Sequence, residues 1–224
     1  MALVDHWPLA GLVVRTPRLE LRWPSDELIV QLVELARLGV HEPGPCPFGV
    51  AWEELASPDM ERSALQHHWG LRASWKPDDW SLGLVTVVDG EVVGSQAIQA
   101  KDLARRRVVD TGSWLGRAHQ GRGIGTEMRA AVLHLAFDGL GALRAESGAW
   151  EDNTSSITVS RRLGYVECGD EVRMRHGGGR GRMVRLVLER TAWEARRRDD
   201  VEVVGLDACR VHLGVDPGSW LSPR

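Results

Sequence analysis

The amino-acid sequence predicts an α/β (α+β) domain of three layers built on a mixed β-sheet. Two β-rich runs, Leu82–Val88 and Glu91–Ile98, flank Asp89-Gly90, a dipeptide typical of a two-residue hairpin turn. Farther along the chain, strand-like and helix-like segments alternate. Antiparallel strands followed by such an alternation predict one mixed sheet with helices packed on its faces.

The N-terminal half supplies its elements in a simple order. Residues Arg15–Trp23 alternate apolar and charged side chains, which predicts a half-buried strand. Ser25 follows as a cap for a helix with one apolar face. Four prolines in residues 41–58 predict a loop over at least the first part of that segment, and a second helix is expected over about Met60–Trp75.

The C-terminal half is expected to complete the sheet. Its predicted elements are the strand Arg107–Leu115, the helix Gly125–Leu140, the strand Ala142–Ala149, the helix Thr154–Leu163 and the strands Tyr165–Cys168 and Met183–Leu188. We therefore expect one domain over residues 1–190. From residue 191 to residue 224 the pattern weakens, and we interpret this part as a C-terminal extension that packs on the domain or at a subunit interface.

Composition excludes several classes of protein. The formal net charge of −3 argues against a nucleic-acid binder, which normally carries a basic excess. No apolar stretch approaches the roughly 18–20 residues that a membrane span needs. The 3 cysteines form no Cys-x-x-Cys pair, so we expect neither a metal site nor a disulfide framework. The N-terminus lacks a secretory pattern, and a cytoplasmic location is expected.

A glycine-bearing loop, Gln120-Gly121-Arg122-Gly123-Ile124-Gly125, stands between a predicted strand and a predicted helix. Glycines let backbone N–H groups converge, and a helix N-terminus adds its positive dipole end, which together suit a pyrophosphate. A tight strand-to-helix turn with no ligand is the alternative. The loop lacks the Gly-Lys-Ser/Thr of a nucleotide P-loop, and it follows an antiparallel meander, which disfavours a dinucleotide fold.

Three motifs in register resemble the GCN5-related N-acetyltransferase (GNAT) superfamily. Gln120-x-x-Gly123-x-Gly125 is similar to its acetyl-CoA pyrophosphate motif. The run from Gly112 to Met128 and the opening RTPRLELR resemble the Rim-type branch, which includes ribosomal-protein alanine acetyltransferases. The segment Asn153–Tyr165 resembles the Asn-x-x-Ser…Gly-aromatic motif of that branch. The resemblance covers roughly residues 14–190.

The resemblance implies a GNAT-like three-layer α/β/α fold whose sheet is splayed at its centre, with acetyl-CoA or another acyl-CoA as the donor. Pantetheine would lie in the gap, along the backbone of Trp114 and Leu115. The residues that the resemblance assigns to CoA binding are Trp114, Leu115, Gln120, Gly121, Arg122, Gly123, Ile124, Gly125, Thr126, Asn153, Ser156 and Arg162. For Arg162, a solvated helix face is the alternative.

Catalytic roles follow from the same resemblance. Ser156 would protonate the departing CoA sulfur, unless its hydroxyl only caps its helix. Relatives often carry a tyrosine acid four residues later, where this chain has Ser160. Asp110 and Glu146 are the candidate bases, or each pairs with an arginine. An ordinary carboxylate is a poor base toward an ammonium group, so a raised pKa or a water relay would be required.

The expected activity is direct transfer of an acyl group from CoA to a primary amine of a protein or a small molecule. The alternative from another class is a CoA-binding module without turnover. The donor is expected to be acetyl-CoA, with a dicarboxylic donor such as succinyl-CoA as the alternative. A homo-oligomer is expected because the family often forms one.

Overall fold

The computed structural model describes residues 1–50, 52–176 and 178–215. Its strands are β1 Val13–Arg15, β2 Leu19–Arg22, β3 Asp79–Val88, β4 Glu91–Lys101, β5 Val108–Leu115, β6 Arg144–Trp150, β7 Val166–Met174, β8 Arg180–Glu189 and β9 Glu202–Val204. Its α-helices are α1 Leu3–His6, α2 Asp26–Arg37, α3 Asp59–Ala73, α4 Leu103–Arg106, α5 Ile124–His134, α6 Thr154–Arg162, α7 Arg190–Glu194 and α8 Leu206–Cys209.

The described strands form one mixed sheet in the order β7-β8-β6-β5-β4-β3-β2-β1-β9. Every neighbouring pair is antiparallel except β5 and β6, which are parallel. Helix α2 packs on one face through a cluster that includes Leu32, Val85 and Val87. Helix α5 packs on the opposite face, where Met128 and Leu84 share the main core. The predicted three-layer α/β class is confirmed.

The predicted turns are largely confirmed, and the first strand is wrong in one respect. Asp89 and Gly90 form the β3–β4 turn with φ angles of 50° and 83°. The segment Arg15–Trp23, expected as one strand, instead contains a hairpin between β1 and β2 that turns over residues 16–18. Pro17 has no N–H to give to a ladder and fixes φ, so a single strand does not continue through it.

Residues 191–215 of the C-terminal extension pack on the same domain. Strand β9 pairs with β1 at one edge of the sheet, and Leu206 and Leu213 belong to the main core. The indoles of Trp75 and Trp80 donate to the carbonyls of residues 212 and 213 at 2.9 and 3.1 Å. Residues 216–224 lie outside the described part of the chain.

None of the described helices has both the length and the apolar character needed to cross a membrane.

Candidate active site

Strands β5 and β6 separate in the middle of the sheet. Their parallel pairing consists of 3 residue pairs, the last of which is Asp110 with Glu146. Beyond this pair both strands continue, but side chains replace the backbone ladder: Ser147 Oγ donates to the carbonyl of Thr111 at 3.0 Å. The sheet therefore opens into a wedge, which is the central splay that the predicted fold includes.

Along β5, the backbone N–H and C=O groups of every second residue point toward the wedge. The carbonyls of Arg107 and Thr111 both accept hydrogen bonds from the β6 side. Because N–H and C=O of one residue point to the same side and alternate along a strand, Ser113 and Leu115 face the wedge too. The backbone groups of Trp114 face β4, with which it is paired. Backbone direction thus favours Leu115, but not Trp114, as a partner for a ligand in the wedge.

The glycine loop after β5 has the shape of an anion cradle. Gly121 and Gly123 adopt φ angles of 73° and 80°, a region that costs other residues free energy. Gly123 is the N-cap of α5. Among the described residues, the backbone N–H groups of residues 121–125 meet no hydrogen-bond acceptor. These amides and the helix dipole together favour an anion at this point.

Two side chains of the loop point in different directions. Gln120 turns back into the protein, where its Nε2 donates to the carbonyls of Val40 and Leu115 at 2.8 and 2.9 Å. A contact between Gln120 and a ligand would therefore be made by its backbone. Arg122 is exposed and forms no ion pair within the described part of the chain, so its guanidinium is available to an anion.

The first turn of α5 supports the cradle from within. Ile124 is buried in the main core, and Thr126 is half-buried behind it. A Cβ on Gly125 would lie 3.7 Å from Cδ1 of Leu115, an ordinary contact. The conformation at Gly125 therefore does not demand glycine, whereas the positive φ at Gly123 favours it.

A carboxylate on α5 ties the cradle to the N-terminal hairpin. Glu127 is buried, and its two oxygens accept from Thr16 Oγ1 at 2.6 Å and from Arg18 Nε at 2.7 Å. The Arg18 guanidinium also lies 3.7 Å from the position of a Cβ on Gly123. The sequence assigned no role to Arg18, for which the basic residue in the RTPRLELR opening was the available signal.

The hydroxyl of Ser156 is not used to cap its helix. The cap of α6 is Asn153, whose Oδ1 accepts from the Ser156 backbone N–H at 3.1 Å. Ser156 is half-buried, and its Oγ has no hydrogen-bond partner among residues 1–50, 52–176 and 178–215. Of the two interpretations open at the sequence level, helix capping therefore falls to Asn153, and the Ser156 hydroxyl stays available.

A buried arginine that sequence reasoning missed links α5, α6 and β5. Arg129 is 3% exposed and donates to Ser160 Oγ at 2.8 Å and to Ser113 Oγ at 2.9 Å. Burial lowers the pKa of this guanidinium, and no carboxylate pairs with it in the described residues. Gly125 and Leu133, four residues before and after Arg129 on the same helix face, are small or apolar. This pattern was the available signal that Arg129 lies on a buried face.

The two candidate bases lie side by side on the other face of the sheet. Burial raises the pKa of Asp110 above its ordinary value of 3.8, and the neighbouring carboxylate of Glu146 raises it further. Glu146 itself has Arg185 and Arg144 at 3.8 and 4.0 Å. Asp110 therefore has a raised pKa, which is one of the two conditions stated for a base. Glu146 contributes to that raised pKa and pairs with arginines.

Asp110 borders an open cleft of about 490 Å³ between strands β3, β4 and β5. Its lining includes Trp80, Ser81, Gln99, Arg106, Val108 and Asp110. An acceptor entering here would approach the vertex of the wedge from the face opposite to α5 and α6. Arg162, the remaining residue assigned to CoA, is exposed at the end of α6.

A family model described as the acetyltransferase (GNAT) domain matches residues 18–166. The chain belongs to the GNAT family. The match contains the wedge, the cradle, Asp110 and Ser156, so the described site lies inside the GNAT domain. The curated protein "Probable N-acetyltransferase YjcK" of Bacillus subtilis (strain 168) is 28% identical over 94 residues, 42% of this chain. The chain spans about half, 52%, of the length of that relative.

Solved GNAT structures share the fold. RimJ of Mycobacterium smegmatis in complex with CoA-disulfide superposes with a TM-score of 0.68 at 22% identity, covering 87% of this chain and 98% of that chain. RimL, a ribosomal L7/L12 alpha-N-protein acetyltransferase in complex with coenzyme A, gives 0.63 at 17% identity, with 79% and 97% covered. An acetyltransferase (GNAT family) from Bacillus anthracis gives 0.62 at 12% identity, with 80% and 99% covered. At these identities the likeness is one of fold.

Proposed function

We propose that this GNAT protein is an acyl-CoA-dependent N-acyltransferase that moves an acetyl group directly from CoA to a primary amine. One observation carries the proposal: Asp110, a carboxylate of raised pKa, belongs to the last pair before the wedge, and among the described residues neither the amides of the following loop nor the Ser156 hydroxyl has a hydrogen-bond partner. Direct amine acylation requires an anion-binding site for the donor, a proton donor and a proton acceptor.

The cradle would hold the donor by its pyrophosphate. The backbone N–H groups of residues 121–125 and the exposed Arg122 supply positive charge where the α5 dipole adds to it. Along β5, the wedge-facing N–H of Ser113 or Leu115 would donate to the pantetheine chain and to the thioester carbonyl, whose oxygen gains negative charge during attack. Asn153 would limit the opposite side of the channel at the start of α6.

Asp110 would remove the proton from the attacking amine. A neutral amine nitrogen forms a bond to the thioester carbon, and the carbon–sulfur bond then breaks. Because partial desolvation and Glu146 raise the pKa of Asp110, its carboxylate, which is still exposed, is a better proton acceptor than an isolated aspartate. A water between Asp110 and the amine would extend its reach.

Ser156 would give its proton to the departing thiolate. Its hydroxyl has no competing partner in the described part of the chain, and its backbone carbonyl accepts from Ser160 Oγ at 2.9 Å. Arg129 sits behind Ser160 and carries a desolvated positive charge toward Ser113 on the wedge side of β5. That charge would stabilise negative charge in the wedge as the sulfur leaves, because screening by water is weak there.

The acceptor that we propose to test first is the α-amine of a protein. RimL, which shares this fold, is named as an alpha-N-protein acetyltransferase, and the three motifs resemble the Rim-type branch. Lysine side chains and small amines are the other acceptor classes. For the donor, a dicarboxylic acyl-CoA is the second candidate, because Arg106 lines the cleft beside Asp110.

The test is acceptor-dependent release of free CoA thiol from the purified protein. Acetyl-CoA and succinyl-CoA are each offered with a peptide bearing a free N-terminus, an N-blocked peptide bearing one lysine, and a small primary amine. We expect thiol release with acetyl-CoA that requires one of these amines, together with a mass increase on that amine. Tight CoA binding with no acceptor-dependent release from any pair would instead support the non-catalytic module.

A further inference from the structure

The loop between α2 and α3 gathers four side chains that ligate metal ions in proteins. Ligand atoms of Cys46, Glu53 and Glu54 all lie within 4.8 Å of one another. His41 contacts one member of this cluster, with Nε2 3.3 Å from Oε1 of Glu53, and would complete a four-ligand set around a bound ion. His41 and the two glutamates also line a cavity of about 350 Å³, which gives a small ion a route in from solvent.

Glu53 is a buried carboxylate that the protein does not satisfy. Its side chain is 7% exposed, and neither Oε1 nor Oε2 has a hydrogen-bond partner among the described residues. Burial of a carboxylate that accepts no hydrogen bond is strongly unfavourable, and the 3.3 Å contact with His41 Nε2 offsets this only if the ring is protonated. Since Glu54 lies beside it, the local charge is doubly negative, and a cation is the natural complement.

His41 is arranged as a metal-binding histidine. Its Nδ1 lies 2.7 Å from the carbonyl of Glu42, and a carbonyl only accepts, so Nδ1 carries the proton. In the neutral ring, the lone pair of Nε2 then faces a Glu53 oxygen at 3.3 Å without a hydrogen bond. A shared cation explains this contact, since two ligands at about 2.0–2.1 Å in a tetrahedron around zinc stand about 3.3 Å apart.

The sulfur of Cys46 is also prepared for coordination. Cys46 is 9% exposed, and its Sγ accepts the backbone N–H of Phe48 at 3.3 Å. The opposite arrangement, in which the thiol donates to the Phe48 carbonyl, is longer, at 3.7 Å. The backbone N–H of Phe48 therefore orients the sulfur, and a bound cation would displace the thiol proton.

We propose that this loop binds one divalent cation of the zinc class through His41 Nε2, Cys46 Sγ and the carboxylates of Glu53 and Glu54. Binding releases the thiol proton to water. One nitrogen, one sulfur and two oxygens suit a four-coordinate zinc ion. The lack of a Cys-x-x-Cys pair predicts no metal site, but this ligand set has a different spacing within one loop.

The site would hold the loop in place over the wedge. The ring centroids of Phe48 and Trp52 lie 5.7 Å apart, and those of Trp52 and Trp114, on β5, also lie 5.7 Å apart. The indole of Trp150, at the end of β6, donates to the Phe48 carbonyl at 3.2 Å. The proposed ion would therefore be structural and would hold this loop against Trp114 on β5 and Trp150 on β6.

The test uses the full chain without a polyhistidine tag, stripped with a chelator and titrated with Co²⁺ and then Zn²⁺. We expect about one ion per chain, the intense visible bands of tetrahedral cobalt, a thiolate-to-cobalt charge-transfer band, and displacement of cobalt by zinc. Cys46→Ser removes the charge-transfer band. Glu53→Gln weakens binding at least about 10-fold, since even outer-shell partners of a metal cost that much.

Matched controls are Cys168→Ser, which removes an exposed cysteine on β7, and Glu42→Gln, which removes a carboxylate of the same loop outside the cluster. Both keep the spectrum if the proposal holds. Folding of every variant is checked by circular dichroism. Absence of a stoichiometric tetrahedral spectrum, or a spectrum unchanged in Cys46→Ser, overturns the site and leaves a simple His41–Glu53 ion pair. Every readout is metal binding, so the result is independent of the acyltransferase proposal.

Discussion

Nη1 of Arg129 donates to the hydroxyl of Ser160 at 2.8 Å in a place that water does not reach. Ser160 in turn donates to the carbonyl of Ser156 at 2.9 Å. Helices α5 and α6 are thus joined by one buried cation, which also donates to Ser113 Oγ on β5 at 2.9 Å.

Arg129→Met should lower turnover without lowering stability. Removing a desolvated charge that has no carboxylate partner among the described residues costs little or is favourable, so we expect a free energy of unfolding within about 1 kcal/mol of the parent or above it in urea titrations. The kcat should fall roughly 10-fold, because about 1.4 kcal/mol of charge stabilisation is lost, while the Kd for CoA is retained. A large loss of stability with an unchanged kcat would make Arg129 purely structural.

The pH–rate profile should report Asp110. The ionised carboxylate is the active form, so kcat/KM should fall as the pH drops through a pKa above 3.8, the direction that burial and Glu146 impose. Glu146→Gln removes one of these causes and should move the acid limb to lower pH. Asp110→Asn should lower kcat/KM roughly 100-fold and abolish the limb.

Asp199→Asn, at an exposed aspartate, is the matched control and should keep the parental profile. An acid limb that survives in Asp110→Asn would assign it to another group.

Gly123→Ala and Gly125→Ala should differ in CoA affinity. At Gly123 the φ of 80° costs an L-residue about 1–2 kcal/mol, so the cradle should distort and the Kd for CoA should rise roughly 5- to 30-fold. At Gly125 the new Cβ meets only ordinary contacts, and alanine favours the helix. Calorimetric titration with CoA gives both Kd values; equal effects at the two positions would contradict the role of the left-handed turn.

Ser156→Ala should slow thiol release while CoA still binds with nearly its parental affinity. The hydroxyl has no partner among the described residues, so its loss leaves nothing buried unsatisfied and the fold intact. We expect turnover about 100-fold lower where chemistry limits the rate, measured by single-turnover thiol release. Ser155→Ala, at an exposed position one residue earlier, is the control. Unchanged single-turnover rates would remove Ser156 from the acid role.

Much of the fold follows from local pattern. Asp89-Gly90 forms the expected turn, Ser25 caps α2 by accepting from the Leu28 N–H at 3.3 Å, and the glycine loop opens a helix, because turns, caps and glycine conformations depend on near neighbours in the chain. Pro17 was the local signal that the first strand would break, and it was overlooked.

The sequence by itself therefore indicated most strands and helices of residues 18–190, the glycine loop at the start of α5 and the family that its motifs resemble, since each of these depends on residues close together in the chain. Only the tertiary structure decided that Asp110 and Glu146 form the last pair before the wedge, that Arg129 is buried against Ser113 and Ser160, and that Glu53 has no hydrogen-bond partner in the described residues. The physical reason is that desolvation and electrostatic interaction depend on distances across the fold, which residue spacing along the chain does not determine.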